Sequence, residues 1–210
     1  VAFIWQCLSL PDMNARKNGT SRGSVFRLFR QPVVSVGLLA CGLFFMGQFA
    51  LFTYVRPFLE TVTQVTPSGL SLILLTIGVA GFVGTLLVAL VLNAAFYLTL
   101  ISIPLLMAVI AGVLILTGHS VWIVALLLGF WGMLATAAPT EWWTWIARTL
   151  PQDAEAGGGL MVAVIQLSIA LGSTAGGLVF DHLGWQSTFA LSGMLLLCAV
   201  VLTFITSRQK

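Results

Sequence analysis

Charge is what this sequence has least of. Lys and Arg number 9 and Asp and Glu 6 in 210 residues, 7% of the chain, where a soluble domain carries about 25%. With 59% hydrophobic residues and a mean hydropathy of +1.07, the balance fits an integral membrane protein. Cysteine is scarce too. Cys7, Cys41 and Cys198 are odd in number and far apart, so neither a disulfide framework nor a metal-ligand spacing forms. All three lie in apolar runs and are expected to pack as small hydrophobes.

The motifs of soluble enzymes are missing. There is no paired His/Glu zinc motif, no Gly-x-Ser-x-Gly elbow and no phosphate-cradling Gly loop. Gly157-Gly158-Gly159 follows Asp153 and Glu155 with no lysine behind it, and reads as a flexible helix entry. No enzyme activity, cofactor or metal is expected. Val1–Leu10 is apolar but too short to span, and no basic segment precedes it, which argues against a signal peptide. Because the chain opens on Val1, residues 1–10 are expected to be the end of a preceding transmembrane helix, and the sequence part of a longer protein.

What is present is a succession of apolar runs. Pro11 to Gln31 is the one long polar segment, read as a solvated loop with a short amphipathic piece around Phe26 to Phe29. After it, six spans are predicted: Pro32–Arg56, Ser68–Leu92, Phe96–Thr117, Val121–Trp145, Gly158–Phe180 and Ser187–Thr206. The fold class is all-α, a six-helix transmembrane bundle over 32–206 with a tail at 207–210. Alternating crossings put Arg16, Lys17, Arg22, Arg27, Arg30, Arg148, Arg208 and Lys210 on one side and Arg56 alone on the other. That asymmetry places loop 11–31 and the C-terminus in the cytoplasm. The basic excess is therefore a topology signal, and no nucleic-acid partner is expected. The Asn18-Gly19-Thr20 sequon is discounted on the same ground. The turn at Leu92-Asn93-Ala94-Ala95 carries no charge, with Asn93 as the polar residue that stops the helix.

Small residues recur along two spans: Gly78, Gly81 and Gly84 in the second, with Ala80 four before Gly84, and Ser168, Gly172 and Gly176 in steps of four in the fifth. Such rows let helix backbones approach closely in lipid. Phe45-Met46-Gly47 also echoes Phe130-Trp131-Gly132 at an offset of 85, as an inverted repeat of three spans would.

A few polar residues interrupt the spans. On the first, Phe44, Phe45, Gln48, Phe52 and Val55 share one face, so Gln48 is an amide in a phenylalanine wall. An unpaired amide in hydrocarbon costs several kcal/mol, so Gln48 must face protein or a cavity, as substrate contact or interhelix hydrogen bond. Gln166 in the fifth span takes the same two readings. Tyr54 and Arg56 close the first span. Arg56 is either an interfacial anchor or a gate paired with Glu60 or Asp181. Glu141 is the one acid inside a span, beside Trp142, Trp143 and Trp145. It is either a wetted carboxylate at an aromatic belt or a proton-titrating or cation-binding group, with Pro139 bending the helix nearby. His119 and His182 read as interfacial polar residues.

Phe52-Thr53-Tyr54-Val55-Arg56-Pro57-Phe58, Trp142-x-x-Trp145-Ile146-x-Arg148, and Val162-Ala163-Val164-Ile165-Gln166-Leu167 with Gly176-Gly177-x-x-x-Asp181-x-x-Gly184 together resemble the major facilitator superfamily. The branch is the drug:proton antiporters of the arabinose-efflux-like type, with the closest likeness to the purine ribonucleoside efflux permeases. The resemblance covers nearly the whole chain as spans seven to twelve. It implies the C-terminal half of a twelve-helix exporter in the bacterial cytoplasmic membrane, with a small-molecule substrate, protons, the bilayer and an N-terminal six-helix half as partners. It also implies that Gln48, Phe45, Phe52, Tyr54 and Gln166 stand near the path, with Arg56 and Glu141 as gating or coupling candidates. Two departures stand out. The turn at Asn93 lacks the family's basic residues, and positions aligned with Glu141 tend to be small or uncharged. The family's coupling acids usually lie in the other half. The alternative reading is a half-module that pairs but does not transport.

Overall fold

The computed structural model of the chain describes residues 28, 30–91 and 96–209. Residues 1–10, Cys7, the sequon, most of the polar loop and Asn93 lie outside them. Among the described residues the regular structure is helical: α1 (Pro32–Phe52), α2 (Val55–Thr61), α3 (Pro67–Val91), α4 (Phe96–Thr117), α5 (Val121–Thr149), α6 (Ala154–Leu183) and α7 (Trp185–Arg208). With α1 and α2 counted as one, six helices are long and apolar enough to cross a membrane.

The first span departs from its predicted course. It breaks at Thr53-Tyr54 and resumes as α2. The cause is Pro57, which has no N–H to donate and whose ring crowds the carbonyl four residues earlier, that of Thr53. Pro104 and Pro139 sit inside α4 and α5 without ending either helix. α4 matches its predicted span to the residue, whereas α5, α6 and α7 run past theirs, since polar flanks keep helical hydrogen bonding beyond the apolar stretch.

α1 packs most extensively on α7 and α6, α3 on α5, and α4 on α7 and α5. Exchanging the first three spans with the last three maps these main neighbour pairs onto one another. Glycine makes the two tightest crossings. A Cβ at Gly84 would overlap the Met133 carbonyl, and one at Gly172 the Met46 carbonyl. Met46 and Met133 thus occupy corresponding places, in a register slightly shifted from the 85-residue echo. Gly81, Gly132 and Gly176 also abut a neighbouring helix, whereas Gly78 faces open space. Hydroxyls also bridge helices: Thr136 Oγ1 on α5 donates to Gly81 O on α3 at 2.7 Å, Ser192 Oγ on α7 to Gly47 O on α1 at 2.6 Å, and Thr188 Oγ1 on α7 to Gly176 O on α6 at 3.2 Å.

The outside of the bundle is greasy. Leu72, Leu75, Phe82, Leu98, Leu126 and Leu167 are exposed, and Leu116 and Trp122 are more than four-fifths so, at 83% and 85%. A surface of this kind suits acyl chains rather than water. Cys41 is buried as expected, but Cys198 is exposed beside Leu197 and Val201, so it packs as a small hydrophobe only toward the outside. Arg30, Arg148 and Arg208 are exposed at the ends of their spans. The Arg148 guanidinium lies 4.5 Å over the Phe96 ring at the start of α4, and that of Arg208 lies 4.4 Å over Phe204.

Candidate substrate path

α6 presents two different exposed faces. At 100° per residue, Leu160, Leu167, Leu171 and Leu178 form one stripe. About a quarter of a turn away, Ala163, Gln166, Ala170 and Thr174 form a second, small and polar and also exposed, continued by half-buried Ser173 and Gly177. A leucine stripe fits lipid. An amide in hydrocarbon does not, so the Gln166 face is the one suited to water, solute or another helix. Gln166 is therefore not enclosed within this bundle but stands on its open polar side.

The break in the first span docks on this face. Tyr54 Oη donates to Ser173 O at 3.0 Å, and its ring stacks on Phe180 at 5.2 Å between centroids. Thr53 Oγ1 and Ser173 Oγ are 2.9 Å apart. Gly177 leaves room for the phenol, because a Cβ there would overlap the Tyr54 hydroxyl. Tyr54 is thus a clamp between α1 and α6 and not a snorkelling anchor. Ser173, its partner, was visible in the sequence only as one more small residue. Phe52 is 38% exposed, edge-on to Phe49 at 6.2 Å, and so leaves the phenylalanine wall that its spacing predicts.

Phe44, Phe45, Gln48 and Val55 stay inside. Phe44 and Phe45 meet edge to face at 5.2 Å. Gln48 is 7% exposed, and its Oε1 has no hydrogen-bond partner among the described residues. The interhelix hydrogen bond through this oxygen that the sequence leaves open is therefore not made.

Arg56 pairs with Glu60, one turn along α2, through an Nε–Oε1 contact of 2.8 Å, and not with Asp181. Both side chains are substantially exposed and line an open cleft of about 490 Å³ with Val65, Pro67, Leu70 and Ser71. An exposed pair of this kind is screened by water and adds little to stability. His119 Nδ1 lies 3.2 Å from Val62 O in the neighbouring loop, and His182 is exposed near the end of α6.

Glu141 is not a wetted belt residue. It is 1% exposed, and Trp142 and Trp145 beside it are buried at 2% and 0%. Only Trp143 faces outward. Positions 142 and 145 lie three apart and share the inner face, while 143 falls opposite. The Trp145 ring fills the space that Gly37 leaves open on α1. Glu141 Oε1, Trp131 Nε1 and Trp145 Nε1 are buried without partners among the described residues. Sequence reasoning missed Trp131, whose signal was its place on the Glu141–Trp145 face.

A helical bundle of six membrane-length spans, closed by glycine crossings and carrying a polar stripe on its open side, is a polytopic membrane protein of the kind that forms one half of a solute permease. No family model matches the chain. Curated relatives do, along its full length. It is 38% identical over 210 residues to the purine ribonucleoside efflux pump NepI of Salmonella enteritidis and 36% identical to that of Escherichia coli, covering 52% of each. It is 57% identical over 213 residues to the transcription regulatory protein OpdE of Pseudomonas aeruginosa, covering 53% of it. The chain spans about half the length of the curated relatives it matches, corresponding to their C-terminal half. It is thus similar, over its full length, to the C-terminal half of proteins named as efflux pumps.

Proposed function

We propose that the chain is the C-terminal half of a proton-driven exporter that carries purine ribonucleosides or similar flat organic solutes out across the bacterial cytoplasmic membrane. The observation that carries this reading is the full-length similarity to pumps named for that substrate class. The polar stripe of α6 supports it, because an N-terminal six-helix half seated opposite would leave Gln166 and the Thr53-Tyr54 break beside an enclosed path. Of the five binding candidates, Gln166, Phe52 and Tyr54 stand on or next to that side. Gln48 and Phe45 lie behind it, with the Gln48 carbonyl open to a water or ligand group. Arg30, Arg148 and Arg208 mark the cytoplasmic end, with the C-terminus there. In this reading the chain has no enzymatic role.

The name of the Pseudomonas relative favours a second reading, in which the half-bundle acts on gene expression without moving solute. The described cations stand at separate helix ends and form no stripe for a phosphate backbone, so such an effect would pass through a bound solute or a partner.

Inosine flux from everted vesicles decides between them. The full-length permease should drive pH-dependent inosine transport, and Gln48→Ala should lower it about tenfold, equivalent to 1.4 kcal/mol, with unchanged protein in the membrane. No inosine flux from the wild type would favour the non-transporting half-module. Unchanged flux in the variant would remove Gln48 from the path.

A further inference from the structure

The outer wall of the bundle carries a furrow between α3 and α4, floored by α5. Two cavities make it. One, of about 300 Å³, lies between α3 and α5 and is lined by Thr76, Ala80, Val83, Gly129 and Met133. The other, of about 150 Å³, is lined by Gly84 and Val88 of α3, Thr99 and Ser102 of α4, and Met133 and Ala137 of α5. Met133 lines both, and Val83 adjoins Gly84, so the two are continuous. From Thr76 to Val88 the furrow runs about 18 Å at about 1.5 Å per residue. One leaflet of a hydrocarbon core about 30 Å thick is about 15 Å deep.

The lining suits hydrocarbon. It carries no charged side chain. Two of its hydroxyls are spent on their own helices: Thr76 Oγ1 donates to Leu72 O at 2.8 Å and Ser102 Oγ to Thr99 O at 3.1 Å. A water there would lack the partners that hold one in place. An empty cleft would forfeit dispersion contacts along both walls. The rim residues Leu87, Leu126 and Phe130 are exposed, so the furrow opens outward. No residue of α6 lines it, which sets it apart from the Gln166 stripe.

A cation stands at one mouth. Phe96 lies one turn before Thr99 on the same face of α4. The Arg148 guanidinium lies 4.5 Å over the Phe96 ring. Helical side chains lean toward the N-terminus of their helix, so Arg148 reaches back along α5 toward the furrow. It is exposed, and the one ion pair among the described residues is Arg56–Glu60, so Arg148 has no acidic partner there. A guanidinium without a counter-ion, beside an apolar furrow of one leaflet's depth, complements a molecule that is anionic at one end and hydrocarbon beyond it.

We propose that the furrow is a binding site for one anionic phospholipid from the leaflet at the Arg148 end. One acyl chain lies between α3, α4 and α5, and the phosphate accepts hydrogen bonds from Arg148. Surrounding lipid offers the same hydrocarbon, so selection comes from headgroup charge and from the fit of the chain to the furrow. The site does not depend on what the bundle carries.

Native mass spectrometry of the full-length permease, extracted in detergent and supplied with phosphatidylglycerol or phosphatidylcholine, tests it. One phosphatidylglycerol should stay bound, at least about fivefold more often than phosphatidylcholine. Arg148→Ala should lower its retention about fivefold, the effect of one basic residue at an anionic lipid surface. Arg30→Ala removes an exposed cation from the same end, ahead of α1, and should leave retention within about twofold. Ala80→Phe fills the furrow while leaving Arg148 in place, and should lower retention about as much as Arg148→Ala. Ala125→Phe, from the α5 wall, repeats that test should Ala80→Phe fail to fold. Equal retention of the two lipids, equal losses in Arg30→Ala and Arg148→Ala, or full retention in a folded furrow-filling variant would each overturn the proposal. Bound lipid is read without transport, so a wild type that holds the lipid but moves no inosine would sink the export reading and leave this site standing.

Discussion

Valine at Gly84 or at Gly172 is expected to leave little folded protein in the membrane. At each position the helix opposite is met through its backbone carbonyl, Met133 for Gly84 and Met46 for Gly172. A backbone carbonyl cannot rotate away as a side-chain tip can, so the helices must separate. Overpacking a core typically costs about 1–3 kcal/mol, and these sites fall at or above the upper end because a whole seam opens. The loss compounds in lipid, where no hydrophobic force draws helices back together and close packing is the main attraction. Hydrogen bonds along the same seams would be stretched as well: Thr136 to Gly81 between α5 and α3, and Tyr54 to Ser173 where the break after α1 docks on α6. Gly78 is the internal control, since a Cβ there meets nothing. Size-exclusion profiles of fluorescent fusions should show aggregate for Gly84→Val and Gly172→Val and a single folded peak for Gly78→Val. Three equal profiles would refute the crossings.

Trp145→Ala is expected to destabilise the bundle by about 3–5 kcal/mol, the usual range for removing a buried aromatic ring. The indole is fully buried and occupies the space left by Gly37. Gly37→Val alone should also destabilise, because its side chain would enter that ring. In combination the two should partly cancel, with the valine filling the vacancy. A double-mutant cycle read by thermal unfolding in detergent should return a favourable coupling energy of about 1 kcal/mol or more. Strict additivity would mean that Gly37 and Trp145 do not meet.

The spans were legible because hydrocarbon imposes one length and one composition on every crossing. α4 coincides to the residue with the span predicted at Phe96–Thr117. The break at Thr53-Tyr54 was not read, although Pro57 was in view. Proline restricts the carbonyl four residues before it, but Pro104 and Pro139 show that this alone does not end a membrane helix. Trp142 and Trp145 were misplaced into an interfacial belt because tryptophan near a span end suits either a headgroup layer or a packed core. Their three-residue spacing with Glu141 on the same side was the discriminating signal. The two stripes of α6 were readable in principle from Ala163, Gln166, Ala170 and Thr174 against Leu160, Leu167, Leu171 and Leu178. The small-residue row of the same helix, at Ser168, Gly172 and Gly176, carries no sign of them. The burial of Gln48 followed from the cost of an amide in lipid, whereas the emptiness around its oxygen depends on which neighbours the fold brings, and no pattern within one helix specifies that.

The proposed path requires two faces on α6, one for lipid and one for water and solute. In the full-length permease freed of native cysteines, single substitutions Ala163→Cys, Gln166→Cys and Ala170→Cys are compared with Leu167→Cys and Leu171→Cys for reaction with a membrane-impermeant, water-borne thiol reagent. Labelling is expected at the first three positions and protection at the two leucines. Labelling of the leucines with protection at Gln166 would contradict it.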